Sequence, residues 1–377
     1  MNKSIFALLL VGMLTISSPT WSASSFNDVQ QRAESGDAKA QLELGYRYFQ
    51  GNETARDVEK ALRWFQRAAQ QGYTPAEYVM GLRYANGEGV AQDYAQAAQW
   101  YRKAAVKGLP QAQQNLAVLY RKGHGVAADS HEAVMWHRKA AEQGLANAQC
   151  SMGYAYLEGD GVAQDYALAL AWYRKSAEQG NAIGQFRLAE LYSSGTEGVK
   201  YNREQAIIWY NKAAEQGDLH AQVNLGALYG HGTKEEQRKA VALYRKAAEK
   251  GFRIGQYNLG YVYLYGKGVE KDEAQAANWV RKAAEQGLSE AQLLLGEMYR
   301  DGQGVKRDRV QAWAWFDTSS ANDMNPFAAQ NSIFLEKKMT AEERAQAKVL
   351  SKQYVEKYAP EAWARIQKLK TQSAPIQ

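Results

Sequence analysis

The sequence predicts an all-α chain, a right-handed α-solenoid of eight helix-turn-helix repeats closed by a helical C-terminal cap. Three observations predict it. Gly36, Gly72, Gly108, Gly144, Gly180, Gly217, Gly251 and Gly287 stand 36 residues apart, with steps of 37 and 34 only around repeats five and six. Tryptophans keep the same period at Trp64, Trp100, Trp136, Trp172, Trp209, Trp279 and Trp315, and Leu243 takes their place in repeat six. A tyrosine recurs in all eight repeats: Tyr48, Tyr84, Tyr120, Tyr156, Tyr192, Tyr229, Tyr263 and Tyr299. Such a fixed period marks stacked supersecondary units, so the 377 residues count repeats rather than separate cores.

The first element is not part of the array. Lys3 gives a basic start, Ile5–Ile16 is an apolar run of 12 residues, and Ser17–Ser25 is rich in small residues. That order is expected of a secretory signal peptide over residues 1–23, because a mature spanning helix needs roughly 20 apolar residues. A short N-terminal helix is expected over 24–36. The repeats then occupy 37–72, 73–108, 109–144, 145–180, 181–217, 218–251, 252–287 and 288–323.

Each repeat reads as two helices. In repeat two, Ala76, Met80 and Tyr84 share one face at four-residue spacing. Gly87 supplies the left-handed stop, and Asp93 stands where the second helix must begin and can accept from its free N–H groups. Asp57, Asp129, Asp165, Asn202, Asp272 and Asp308 occupy the matching place. Repeat six has no such residue, but Thr233 and Glu236 form the pattern of a capping box. In the second helix Ala97, Trp100 or Tyr101, and Ala104 make the buried stripe. The small residues Gly45, Gly81, Ala117, Gly153, Ala189, Gly226, Gly260 and Gly296 each sit mid-helix, where Gly costs about 1 kcal/mol against Ala. Direct packing of the neighbouring tryptophan on the backbone is the expected compensation.

The period ends at Asp323. Over 324–377, Thr340 and Glu343 form a second capping box ahead of Ala345, Val349, Leu350 and Tyr354, and Pro360 opens a last helix carrying Trp363, Ile366 and Leu369. An open solenoid must cover its terminal apolar face, so this segment reads as the cap.

The pattern A-x-x-x-L-G-x-x-Y-x-x-G-x-G-V-x-x-D followed by A-x-x-W-Y-x-K-A-A-x-x-G resembles the Sel1-like repeat, a tetratricopeptide-like helix pair, over residues 37–323. Two repeats depart from it. Repeat five carries one inserted residue between Gly195 and Gly198, and repeat six lacks the G-V-x-x-D turn; altered local twist is expected between Ser193 and Ala240.

Composition excludes several functions. Residues 24–323 carry 36 basic and 35 acidic side chains, which leaves no phosphate-tracking surface, whereas residues 324–377 carry 9 and 5. Cys150 is alone, so no disulfide framework or cysteine zinc cluster forms within the chain. His124, His131, His137, His220 and His231 are not spaced to share a helical face as metal ligands. Glu158, Asp160 and Asp165 gather near one loop, but capping and solvation account for them. No nucleophile elbow, H-E-x-x-H or phosphate loop occurs. Cysteine-rich proteins with such repeats are linked to β-lactam binding or hydrolysis; the resemblance here covers the repeat alone. The expectation is no enzyme, no cofactor and no metal.

Protein binding is the expected function. In the first helices, the residues three before and one after the small position vary while staying aromatic-rich. Leu42/Tyr46, Tyr78/Leu82, Gln114/Val118, Cys150/Tyr154, Phe186/Glu190, Val223/Ala227, Tyr257/Tyr261 and Leu293/Glu297 fill them. A column that does not repeat is a candidate partner face, so Tyr78, Tyr154, Phe186, Tyr257 and Tyr261 are expected to contact a partner; the other reading of the column is packing against the preceding repeat's second helix. Gln311–Asn325, Lys357–Lys370, Ala40–Thr54 and Lys107–Tyr120 are similar to enterobacterial exported Sel1-repeat proteins that bind secretory immunoglobulin A. That resemblance implies a host antibody as partner, and the expected signal peptide implies export to a periplasmic, cell-surface or secreted location. A periplasmic adaptor scaffolding envelope proteins is the other reading.

Overall fold

The computed structural model describes residues 25–372, and the expected signal peptide lies outside them. The residues fall into two compact units, one ending at Gln179 and one beginning at Gly180. The first unit holds α1 (Phe26–Glu34) and four helix pairs: α2 (Ala38–Gln50) with α3 (Val58–Gln70), α4 (Thr74–Asn86) with α5 (Tyr94–Val106), α6 (Pro110–Lys122) with α7 (Ser130–Glu142), and α8 (Ala146–Glu158) with α9 (Tyr166–Glu178). The second holds α10 (Ala182–Ser194) with α11 (Arg203–Glu215), α12 (Leu219–Gly230) with α13 (Lys234–Glu249), α14 (Arg253–Tyr265) with α15 (Glu273–Glu285), and α16 (Ser289–Asp301) with α17 (Arg309–Asp323). Its cap is α18 (Pro326–Glu336), α19 (Ala341–Tyr358) and α20 (Pro360–Gln372). Within each unit consecutive helices pack antiparallel, so each apolar stripe is buried by its sequence neighbours.

Loop chemistry sets the helix boundaries. Asp93 accepts from the Ala95 and Gln96 N–H groups, and Asp57, Asp129, Asp165, Asn202, Asp272 and Asp308 cap their helices in the same way. The Thr233–Glu236 capping box is present in repeat six. The recurring tyrosine explains itself twice. Its carbonyl accepts the N–H of the capping residue, as from Asp93 to Tyr84 at 2.9 Å. In repeats four and eight its hydroxyl also accepts from an arginine in the preceding repeat, Arg138 to Tyr156 at 3.0 Å and Arg281 to Tyr299 at 2.7 Å.

The packing on the small residues corrects the sequence expectation. The ring against Gly81 is Tyr101, not Trp100; Phe65 meets Gly45, Tyr173 meets Gly153, Tyr244 meets Gly226 and Phe316 meets Gly296. In each case a Cβ on the glycine would collide with the ring, which explains the tolerated loss of helix propensity. Trp64, Trp100, Trp136, Trp172 and Trp279 are only half-buried. Each lies under the cation of a residue one turn on, as Lys103 Nζ lies 4.0 Å from the Trp100 ring centre. The reason is angular: one helical step of 100° turns the following residue inward and leaves the tryptophan at the edge of the stripe.

A buried amide spine escaped the sequence reading. Gln113 donates to the Ala105 carbonyl at 3.1 Å and accepts from Gln143 at 2.8 Å; Gln149 with Gln179, and Gln256 with Gln286, repeat the arrangement. Repeat two replaces it with Glu77, to which Lys107 donates at 2.7 Å. The glutamine amides give the carbonyls of Ala105, Ala141 and Ala248 a second donor beside the N–H of Gly108, Gly144 and Gly251, and tie the end of each second helix to the first helix of the next repeat.

The cap covers the last repeat. Trp315 is stacked on Tyr358 with ring centres 5.5 Å apart and lies 4.4 Å from Tyr354, whose hydroxyl donates to Gln311 at 2.8 Å. Trp363 and Ile366 of α20 pack on Val355, Ala359 and Ala362.

Candidate functional site

The variable column divides by height on the helix. The residue three before the small position is enclosed in the first six repeats: Leu42, Tyr78, Gln114, Cys150, Phe186 and Val223 are all buried. The residue one after it keeps some surface in every repeat. Two expected contact residues are therefore inside. Tyr78 is 7% exposed, lies 5.8 Å from Tyr101 ring to ring, and accepts from Asn115. Phe186 is also 7% exposed, between Tyr210 and His220. Burial in the inter-helix seam explains both, because the side chain three residues before the glycine leans over the facing helix. Tyr154 keeps partial surface beneath the Arg121 guanidinium, 5.5 Å from its ring centre.

Repeats seven and eight depart from this, since Tyr257 and Leu293 are both only partly buried, and repeat seven is the aromatic one. Both Tyr257 and Tyr261 keep partial surface, and Tyr265, one turn further, is 54% exposed. Their rings form a ladder, 6.4 Å from Tyr257 to Tyr261 and 4.6 Å from Tyr261 to Tyr265. Spacing of four residues places them along one face of α14. The sequence signal for Tyr265 was the same four-residue step, carried one turn beyond the column that was read.

The ladder is open because repeat six is short. Only residues 231–233 join α12 to α13, against residues 87–93 between α4 and α5. Ala227 occupies the place that holds Tyr46, Leu82, Val118 or Tyr154 in other repeats. Together these leave a cleft of about 330 Å³, bordered by Ala227, His231, Gln237, Tyr257, Tyr261 and Lys267. Lys267 Nζ lies 5.0 Å above the Tyr261 ring. Burial first, and then the nearby Glu290 carboxylate, push the Tyr257 hydroxyl pKa up, so it stays protonated and able to donate at neutral pH. Burial likewise pushes Tyr244, on the cleft floor, to about 12.

The remaining candidates are structural. His124 stacks on Tyr94 at 4.9 Å, and His220 lies against Phe252 at 4.8 Å. His137 is buried, with Nδ1 2.9 Å from Gln114 Oε1, and burial depresses its pKa to about 3. Asp165 caps α9 by accepting from the Leu168 N–H. Among the described residues, no three histidine, cysteine or acidic side chains gather to hold a metal ion.

Comparison with known proteins matches this architecture. The family model of the Sel1 repeat matches residues 38–73, 74–109, 110–145, 146–181, 182–218, 219–252, 254–288 and 289–323. A crystal structure of a protective antigen present in uropathogenic Escherichia coli strains, displaying an SLR fold, is 50% identical, covers 94% of this chain and 99% of its own, with a TM-score of 0.54. A Sel1 repeat protein from Oxalobacter formigenes is 34% identical over 84% of this chain and 91% of its own, with a TM-score of 0.62. The secretory immunoglobulin A-binding protein EsiB of Escherichia coli O6:H1 is 52% identical over 69 residues, which are 18% of this chain and 14% of that protein.

Proposed function

Because the chain belongs to the Sel1-repeat family, we propose that it is an exported, non-enzymatic protein-binding solenoid whose partner is a host protein such as secretory immunoglobulin A, bound to modulate the immune response. The observation that carries the binding reading is the Tyr257–Tyr261–Tyr265 ladder, left uncovered beside a cleft. Tyrosine buries a large area at low entropic cost and keeps a polar tip, which suits a contact surface. Support for the antibody comes from the similarity to an immunoglobulin A-binding protein over 69 residues. Among the described residues no helix is long and apolar enough to cross a membrane. In this reading Tyr257, Tyr261 and Tyr154 touch the partner, while Tyr78 and Phe186 hold the first helices from behind.

Surface plasmon resonance with the mature protein over immobilised secretory immunoglobulin A tests the proposal. Saturable binding is expected, weakened by about 1–4 kcal/mol in Tyr257→Ala/Tyr261→Ala with an unchanged melting temperature. Absence of binding by the wild type removes the antibody as partner. Unchanged affinity with earlier melting removes the tyrosines from the contact surface.

A further inference from the structure

The C-terminal cap exposes a second surface of different chemistry. On α18, Phe327 is 69% exposed, Ile333 58% and Phe334 54%, and Met324 just before the helix is also in open solvent. The opposite side of the helix, Ala328, Ser332 and Leu335, is buried. Phe327, Gln330, Ile333, Phe334, Lys337 and Lys338 recur every three or four residues, so they share the outward face. The apolar part of that face ends in lysines. Lys338 Nζ lies 4.1 Å over the Phe334 ring, and Lys348 of α19 reaches Glu336 at 3.6 Å, bringing a further exposed lysine to the end of α18. Three large exposed apolar side chains on one 11-residue helix are not needed by the cap, whose core lies on the other side.

We propose that this face docks on an anionic lipid surface, with the rings of Phe327 and Phe334 entering the headgroup region and the lysines meeting lipid phosphates. Charge complementarity selects this occupant. Residues 324–377 carry 9 basic and 5 acidic side chains, whereas residues 24–323 balance 36 against 35, so the chain's excess positive charge lies in the segment that carries the apolar face, with Lys337, Lys338 and Lys348 at its edge. A second copy seated there would bring two positively charged caps together. An 11-residue helix is about 16 Å long, too short to span a bilayer but long enough to lie in its interface. The surface is separate from the tyrosine ladder, so it stands or falls independently of the partner proposed above.

The test is cosedimentation of the mature protein with vesicles of phosphatidylcholine containing about a third phosphatidylglycerol, against phosphatidylcholine alone. Binding is expected to the anionic vesicles only, and to weaken as salt rises. Phe327→Ser/Phe334→Ser should lower partitioning about tenfold or more, and Lys337→Glu/Lys338→Glu about fivefold or more for each lysine. All these side chains are exposed, so both variants should melt as the wild type does. Failure of the wild type to sediment with anionic vesicles overturns the proposal, as does equal binding by the phenylalanine variant. A dimer seen by sedimentation velocity that Phe327→Ser/Phe334→Ser dissolves, without lipid binding, reassigns the face to a second copy.

Discussion

Repeats two and seven follow one plan and differ in what they leave uncovered. In repeat two, Tyr78 is packed on Tyr101, and the preceding repeat carries Tyr46 where repeat six carries Ala227. In repeat seven, the corresponding Tyr257 faces a cleft, because the preceding repeat offers Ala227 and a connection of residues 231–233 instead of a tyrosine and a full turn. The same aromatic side chain is core in one place and surface in the other. In a repeat protein the consensus builds the wall, and departures from it make the openings. That contrast depends on which second-helix residue forms the wall, and the variants below probe it in order of expected effect on stability.

The largest effect is expected at Tyr101. Tyr101→Ala removes the ring that packs on Gly81, and should cost about 3–5 kcal/mol in urea unfolding. Trp100→Ala, one residue away, removes a half-buried ring and its Lys103 contact, and should cost only about 1–2 kcal/mol. A larger loss at Trp100 than at Tyr101 would return the tryptophans to the core.

Acid should act next, through His137. It occupies the wall position of repeat three, and its Nε2 is buried with no hydrogen-bond partner among the described residues. Burial, and then the nearby positive charge of Arg121, lower its pKa from 6.5 to about 3. The unfolded chain therefore binds this proton more readily than the folded one. The stability of the neutral form is fully present above the unfolded value and is lost as pH falls from 6.5 towards 3. At pH ~4 the loss should approach about 3 kcal/mol, at ~1.4 kcal/mol per unit. His137→Phe, which installs the ring that Phe65 and Phe316 place at this position, should flatten that part of the pH profile. An unchanged slope between wild type and variant would move the acid sensitivity elsewhere.

The period made most of the fold legible. Glycine, tyrosine and capping aspartate recur because each fills a backbone role that only a few side chains can fill, so Asp93, Gly87 and Tyr84 declared their places directly. The wall did not declare itself. Trp100 and Tyr101 are adjacent and both aromatic, and a 100° rotation decides which is inside. The glutamine spine was hidden for another reason: Gln113 and Gln149 look like ordinary helix-surface residues until a carbonyl of the previous helix lies beside them. At the candidate site, the sequence identified the variable column but not its depth. Tyr78 and Tyr257 hold the same column position, and what separates them lies in the preceding repeat: the size of one residue and the length of one connection.

The smallest expected effect on stability is the sharpest test of that separation. Ala227→Tyr gives repeat six the side chain that repeat one carries as Tyr46 and repeat four as Tyr154. Ala227 is exposed at the edge of an existing cleft of about 330 Å³, so the added ring has room and no core has to yield. Stability should change by no more than about 0.5 kcal/mol, as for other surface substitutions. The tyrosine ladder, however, would lose its open side, because the new ring would fill the cleft beside Tyr257 and Tyr261. If the opening beside the short repeat is what a partner enters, binding to immobilised secretory immunoglobulin A should fall at least as far in Ala227→Tyr as in Tyr261→Ala. If Ala227→Tyr binds as the wild type does while Tyr261→Ala does not, the partner touches the outer edge of the ladder, near Tyr265, and leaves the cleft empty.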